Sequence, residues 1–251
     1  MYNRQILIAL AIKYNGDYSL IKRHIEKAVN NDNVMPIECA NCITIFDDDY
    51  PIELLDLEQP PFVLFYKGNK DLLKTKKIGV IGSRMPCDYA SEATKRLVLK
   101  KSDCTVVSGL ALGIDALAHS YAKNTIGVLG CGIDYIYPWA NKYLFAKMEK
   151  EGLILSEYPG MTKPEAKNFL TRNRIVAALS DTVYVMQISS RKSGTMNTVN
   201  TALSLNKTVK ILPYSILDVN GMKNNQLISD GGMSITSKDI EMEENYEIDN
   251  G

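Results

Sequence analysis

Between Lys77 and Pro213 six short runs rich in β-branched residues alternate with longer amphipathic stretches: KIGVIG, CTVVSG, TIGVLG, LILSE, TVYVMQ and TVKILP. Each run suits one strand, and the stretches between them, at about 88–101, 113–123, 140–151, 168–180 and 195–206, suit helices. Antiparallel neighbours can be joined by a tight turn, whereas parallel ones need a crossover of about a dozen residues or more. Six strands with five crossovers predict an α/β fold, a doubly wound Rossmann-like parallel sheet of about six strands.

The flanks differ in character. Residues 1 to about 46 read as a small helical N-terminal unit, with Ile21, Ile25 and Val29 at helical spacing. The acidic, proline-containing DDDYPIELLDLEQPP leads into FVLFYKG, whose aromatic and β-branched content predicts an added edge strand. The expected division is a helical region and acidic linker over 1–58, the Rossmann-like domain over 59–238, and an acidic mobile tail over 239–251.

Formal net charge is zero, yet the charges are segregated. Residues 47–58 hold six acids and no base, and residues 239–251 hold six more. Residues 59–238 carry 24 Lys and Arg against 13 Asp and Glu, so the central body is basic and a polyanion is a natural partner. No apolar run is long enough to span a bilayer and no leader pattern follows the N-terminus, so no membrane association and a cytoplasmic location are expected. Five irregularly spaced cysteines fit a reducing compartment better than a disulfide framework; Cys39 and Cys42 form a single CxxC, read as buried or incidental, with no metal expected.

Ligands of an open α/β sheet gather beyond the carboxyl ends of its strands. Four turns there are glycine-marked: Gly82-Ser83-Arg84, Ser108 to Gly113, Gly130 to Asp134, and Ser193-Gly194-Thr195. Glycine lets backbone approach a ligand closely, and N–H groups at the helix starts that follow favour an anion. Neither GxGxxG with its downstream acid nor GxxxxGK[ST] occurs, so no dinucleotide, P-loop nucleotide or other cofactor is expected. Asp115 and His119 stand four residues apart on one helix face, but no nucleophile motif or zinc motif completes a catalytic set; Asp115 reads as a helix-start carboxylate. The stretch KPEAKNFLTRNR places Lys163, Lys167, Arg172 and Arg174 around Phe169 and Asn173, and planar guanidinium forks beside an aromatic ring suit single-stranded nucleic acid.

The ordered series YPIELLDLEQPPFVLFYKGN, VIGSR, SGLALGIDALAH, GCGIDYIYPWAN, LILSEYPGMTKP, FLTRNRIVAALSD, SGT and NQLISDGG resembles the DNA-processing protein A (DprA/Smf) family from about residue 50 to 240. The resemblance implies a Rossmann-like domain that binds single-stranded DNA, forms a homodimer, and protects incoming DNA while loading the RecA recombinase on it in natural transformation, without a catalytic step. It puts Arg84, the Ser108–Gly109 turn, Phe169, Arg172 and Asn173 in the DNA site. The turn residues Gly82, Ser83, Ser193, Gly194 and Thr195, with Arg174, join them, and Lys163 and Lys167 are added on charge. Three departures stand out: Leu112 where the family has arginine, Gln187 where it has an acid, and an acidic tail where many members carry a winged helix. Two alternatives remain, a Rossmann-like sensor of small nucleotides and an enzyme cleaving nucleoside monophosphates. The enzyme typically carries PGGxGTxxE, and the corresponding SRKSGTMNTVN has no glutamate.

Overall fold

A computed structural model describes residues 3–27, 34–189 and 194–241. Two helices open the chain, α1 (Arg4–Lys13) and α2 (Tyr18–Glu26). Asn3 caps α1 by accepting from the Ile6 N–H at 3.0 Å, and Asp17 caps α2 by accepting from Leu20 at 3.0 Å. Strands β1 (Cys42–Thr44) and β2 (Val63–Gly68) follow. Then come β3 (Lys77–Gly82), α3 (Asp88–Lys100), β4 (Thr105–Ser108), α4 (Ile114–Tyr121), β5 (Asn124–Leu129), α5 (Lys142–Glu151) and β6 (Leu153–Ser156). The chain continues through α6 (Ala166–Leu179), β7 (Thr182–Gln187), α7 (Gly194–Ser204), β8 (Thr208–Ile211), α8 (Met222–Ser229), β9 (Met233–Ser234) and α9 (Ser237–Ile240).

The six expected strands are β3 to β8, and they run parallel inside a nine-stranded sheet ordered β1-β2-β6-β5-β4-β3-β7-β8-β9. Strand order reverses between β3 and β7, and that switch point opens a crevice at the strands' carboxyl ends. Alternation sorts the apolar residues onto two layers. In β7, Val183 and Val185 pack with Ile175 and Val176 of α6 and Val199 of α7. Tyr184 and Met186 face the other way, toward Leu97 of α3 and Ile114 of α4.

The flanks are more integrated than their composition suggests. FVLFYKG is not the edge: β2 pairs antiparallel with β6, and β1 covers its outer side. Leu7, Ile8 and Leu10 of α1 pack on Val63 and Phe65 of β2, so the N-terminal residues cover one end of the same sheet. The acidic segment is also pinned rather than loose. Asp47 accepts from Arg4 Nε at 3.0 Å and from the Thr44 N–H at 2.9 Å, and Glu53 pairs with the buried Lys77 at 3.1 Å. The acidic tail begins later than its charge suggests, because Asp239 is buried, caps α9 through Thr236, and meets Lys210 at 2.8 Å. Most of that tail, Val29 and Ser193 lie outside the described residues.

The reading of Cys39 and Cys42 as incidental is corrected: they form a disulfide. The tight CxxC turn into β1 holds their α-carbons 5.7 Å apart, within bridging range.

Candidate nucleic-acid interface

Three turns meet at the switch point. Gly113, at φ +74°, lets the turn after β4 press against the backbone of Ser83 and Arg84, where a β-carbon would overlap the Ser83 carbonyl. The Ile114 N–H then donates to that carbonyl at 3.0 Å. On the far side Asn173 Nδ2 donates to the Gly194 carbonyl at 3.0 Å, and Thr195 Oγ1 donates to the Gly82 carbonyl at 3.3 Å. The result is a cleft of about 230 Å³ walled by Gly82, Ser83, Arg84, Gly109, Asn173 and Gly194, with Arg172 and Asp115 beneath it.

Arg172 is 5% exposed, and one guanidinium nitrogen donates to the Val128 carbonyl. Its Nε finds no hydrogen-bond partner among the described residues. Burial lowers the pKa of Arg172, and the Asp115 charge opposes that shift. Burial likewise raises the Asp115 carboxyl; the Arg172 charge and N–H donors from Ala111 (3.4 Å) and Gly109 (3.1 Å) pull it down. Asp115 therefore holds the turn after β4, and the charge of the buried Arg172 acts on it from across the floor of the cleft. His119 sits behind it, accepting from the Leu110 N–H at 3.3 Å and bonded to Thr125 Oγ1 at 2.6 Å. Burial pushes His119 down to about 3, so it is neutral at physiological pH and holds the same turn.

Arg84 differs from both: it is exposed at the cleft mouth and makes no side-chain hydrogen bond or ion pair with the described residues. It is a cation ready for an external anion. Next to it a small apolar recess of about 50 Å³ is lined by Leu112, Tyr137, Pro138 and Phe169 and shares Arg84, Gly109 and Arg172 with the cleft. Phe169 lies against the α-carbon side of Gly130 and 5.5 Å from the Tyr137 ring.

The expected site residues thus divide. Gly82, Ser83, Arg84, Gly109, Arg172, Asn173, Gly194 and Thr195 converge on the cleft, and Phe169 joins through the recess. The Ser108 hydroxyl instead faces the sheet, donating to the Val80 carbonyl at 2.7 Å. Arg174 turns away and forms a bidentate pair with buried Glu157, both contacts at 2.6 Å, so its charge is already matched. Lys163 and Lys167 line a separate groove of about 510 Å³ between the start of α6 and the turn of Tyr14 to Leu20, and Lys167 is paired with Glu165.

Tyr137 went unread in the sequence; its signal was an aromatic just beyond the glycine-marked GCGID turn. Leu112, where an arginine is expected, supplies apolar wall to the recess. Gln187, where an acid is expected, accepts from the Cys87 N–H at 2.9 Å and so orients the start of α3. Among the described residues no group of three or more His, Cys, Asp and Glu could hold a metal ion, and no helix is long and apolar enough to cross a membrane.

Fold and site together define a Rossmann-like module with an anion-seeking cleft at its switch point. The chain belongs to the DNA recombination-mediator protein A family, whose model matches residues 41–245. It is similar to DNA processing protein DprA of Streptococcus pneumoniae, 38% identical over 94% of this chain and 90% of that protein. It is also similar to protein Smf of Synechocystis, 43% identical over 78% of this chain, and there it spans about half of the relative's length. The structure of the Streptococcus pneumoniae protein superposes with a TM-score of 0.75 at 31% identity, covering 93% of this chain and 90% of that one. A structure of DNA processing protein A from Helicobacter pylori, described for its single-stranded DNA binding mode, superposes with a TM-score of 0.72 at 35% identity, covering 78% of this chain and 92% of that one.

Proposed function

We propose that the protein binds single-stranded DNA in the cleft and acts as a recombination mediator, protecting incoming strands and loading RecA on them in natural transformation. The observation that carries the reading is the unmatched Arg84 guanidinium at a glycine-walled cleft beside an aromatic recess. A phosphate can meet Arg84 and backbone N–H groups, while a base rests against Phe169. The Helicobacter pylori relative, known for binding single-stranded DNA, supports the same use of the fold. Binding rather than chemistry is the proposed role, so incubation with AMP should release no free base.

A homodimer fits the exposed apolar strip of Ile216, Leu217, Val219 and Met222, which no described element covers. The decisive experiment is binding of a labelled single-stranded oligonucleotide at low and at moderate salt. Affinity should fall steeply as salt rises; no binding at either concentration overturns the reading. Mass in solution tests the dimer, and a monomer at all concentrations removes that part.

A further inference from the structure

Beside the aromatic recess the surface carries rings that the core does not use. Tyr137 closes the recess, and two residues on, within about 7 Å of chain, stands Trp139, the single tryptophan of the protein and 65% exposed. Tyr143, near the start of α5, is 58% exposed. Lys142 places its ammonium 5.3 Å from the Trp139 ring centroid. Tryptophan usually buries most of its large apolar surface, so a ring left in water marks a surface with a task.

The segment is firmly held. Asn141 is buried, and its side-chain amide donates to the carbonyls of Leu110 at 2.9 Å and Ala111 at 3.1 Å. The short turn Trp139–Asn141 is therefore anchored to the same turn whose Gly109 and Ala111 line the cleft. Exposed rings on fixed backbone, with a cation alongside and the cleft one recess away, meet the needs of a sequence-tolerant single-strand track: a π face for a base and a positive charge for the adjoining phosphate.

The geometry points to Trp139, with Lys142 and Tyr143, as a base-stacking platform that extends the nucleic-acid site beyond the cleft, an inference that rests on the DNA-binding reading above. Single-stranded DNA is the occupant favoured over a protein because Trp139 directly follows Tyr137 and Pro138 of the recess in the chain and its ring carries its own cation.

Because Trp139 is the only tryptophan, its fluorescence reports on the platform alone. The full-length protein is titrated with an oligo-dT of about 15 nucleotides and with an abasic oligomer of equal length, while anisotropy of an end label reports binding. Oligo-dT should quench the indole on binding, and the abasic oligomer should bind with little quenching. Trp139→Ala should weaken oligo-dT binding about 5- to 100-fold, with Trp139→Phe restoring most of it. Binding without quenching, together with unchanged affinity of Trp139→Ala, overturns the platform and leaves the cleft reading standing. Absence of any binding fails both. Indole fluorescence that changes with protein concentration alone, and a Trp139→Ala variant that loses self-association, would make the patch a face between copies of the chain and overturn the inference.

Discussion

The guanidinium of Arg172 lies so directly over the α-carbon of Gly109 that a β-carbon at residue 109 would overlap Nη1, Nη2 and Cζ. Glycine at this turn is required by a neighbour rather than by its own backbone angle. Gly109→Ala should displace the buried arginine and destabilise the protein by about 1–3 kcal/mol, the usual cost of overpacking. Thermal unfolding measures this; an unchanged midpoint would mean that Arg172 can shift without cost.

The two cleft arginines should separate cleanly by substitution. Arg84→Ala removes an exposed cation and should leave stability within about 0.5 kcal/mol, while weakening oligonucleotide binding and reducing the salt slope by about 1. Arg172→Ala removes the buried guanidinium that donates to the Val128 carbonyl and whose charge lowers the Asp115 carboxyl, leaving that carbonyl without its donor, and should cost about 1–3 kcal/mol. Denaturant midpoints and salt titrations on both variants check this. Equal stability losses would refute the division of roles.

His119 makes stability depend on pH with a definite sign. Its pKa is about 3 folded against 6.5 ordinarily, so the unfolded chain binds the extra proton. The stabilising contribution is complete above about pH 6.5 and is lost progressively as pH falls toward 3, by up to the order of 5 kcal/mol. Asp115, raised by burial, works with the opposite sign and is least favourable where it is ionised. Only two histidines exist, so NMR titration resolves them; an imidazole at residue 119 titrating near 6.5 would contradict this account.

Reduction of Cys39–Cys42 should have a small effect. The bond closes a loop of only four residues, which limits its chain-entropy contribution to about 2 kcal/mol. Comparing unfolding with and without a dithiol reductant tests it, and a larger loss would show that the disulfide carries the packing of α1 on β2.

The parallel core was legible because it is written locally: a short β-branched run, a glycine turn and an amphipathic stretch repeat along the chain. The sheet margins were not. β1 and β9 have three and two residues, too few for periodicity to register, and they exist because β2 and β8 offer open edges. In the site, the glycine turns and Arg84 were readable from position alone. What KNFLTRNR could not disclose is that one helix splits its cations. Arg172 points into the sheet and Arg174, two residues on, swings to Glu157 on a strand-end loop, a choice set by partners distant in sequence. Lys163 and Lys167 look equivalent to Arg172 in charge, yet they precede or open the helix and line another groove.

The pairing of β2 with β6, with Tyr66 opposite Leu155, also orders events in time. The N-terminal flank is synthesised first, but β2 has no inner neighbour until residues 153–156 leave the ribosome. Until then β2 offers a strand edge, and the apolar faces of α1 and β1 can shelter only one side of it. The β2–β6 pairing is therefore a non-local contact, closed only after the intervening β3, β4 and β5 have been made.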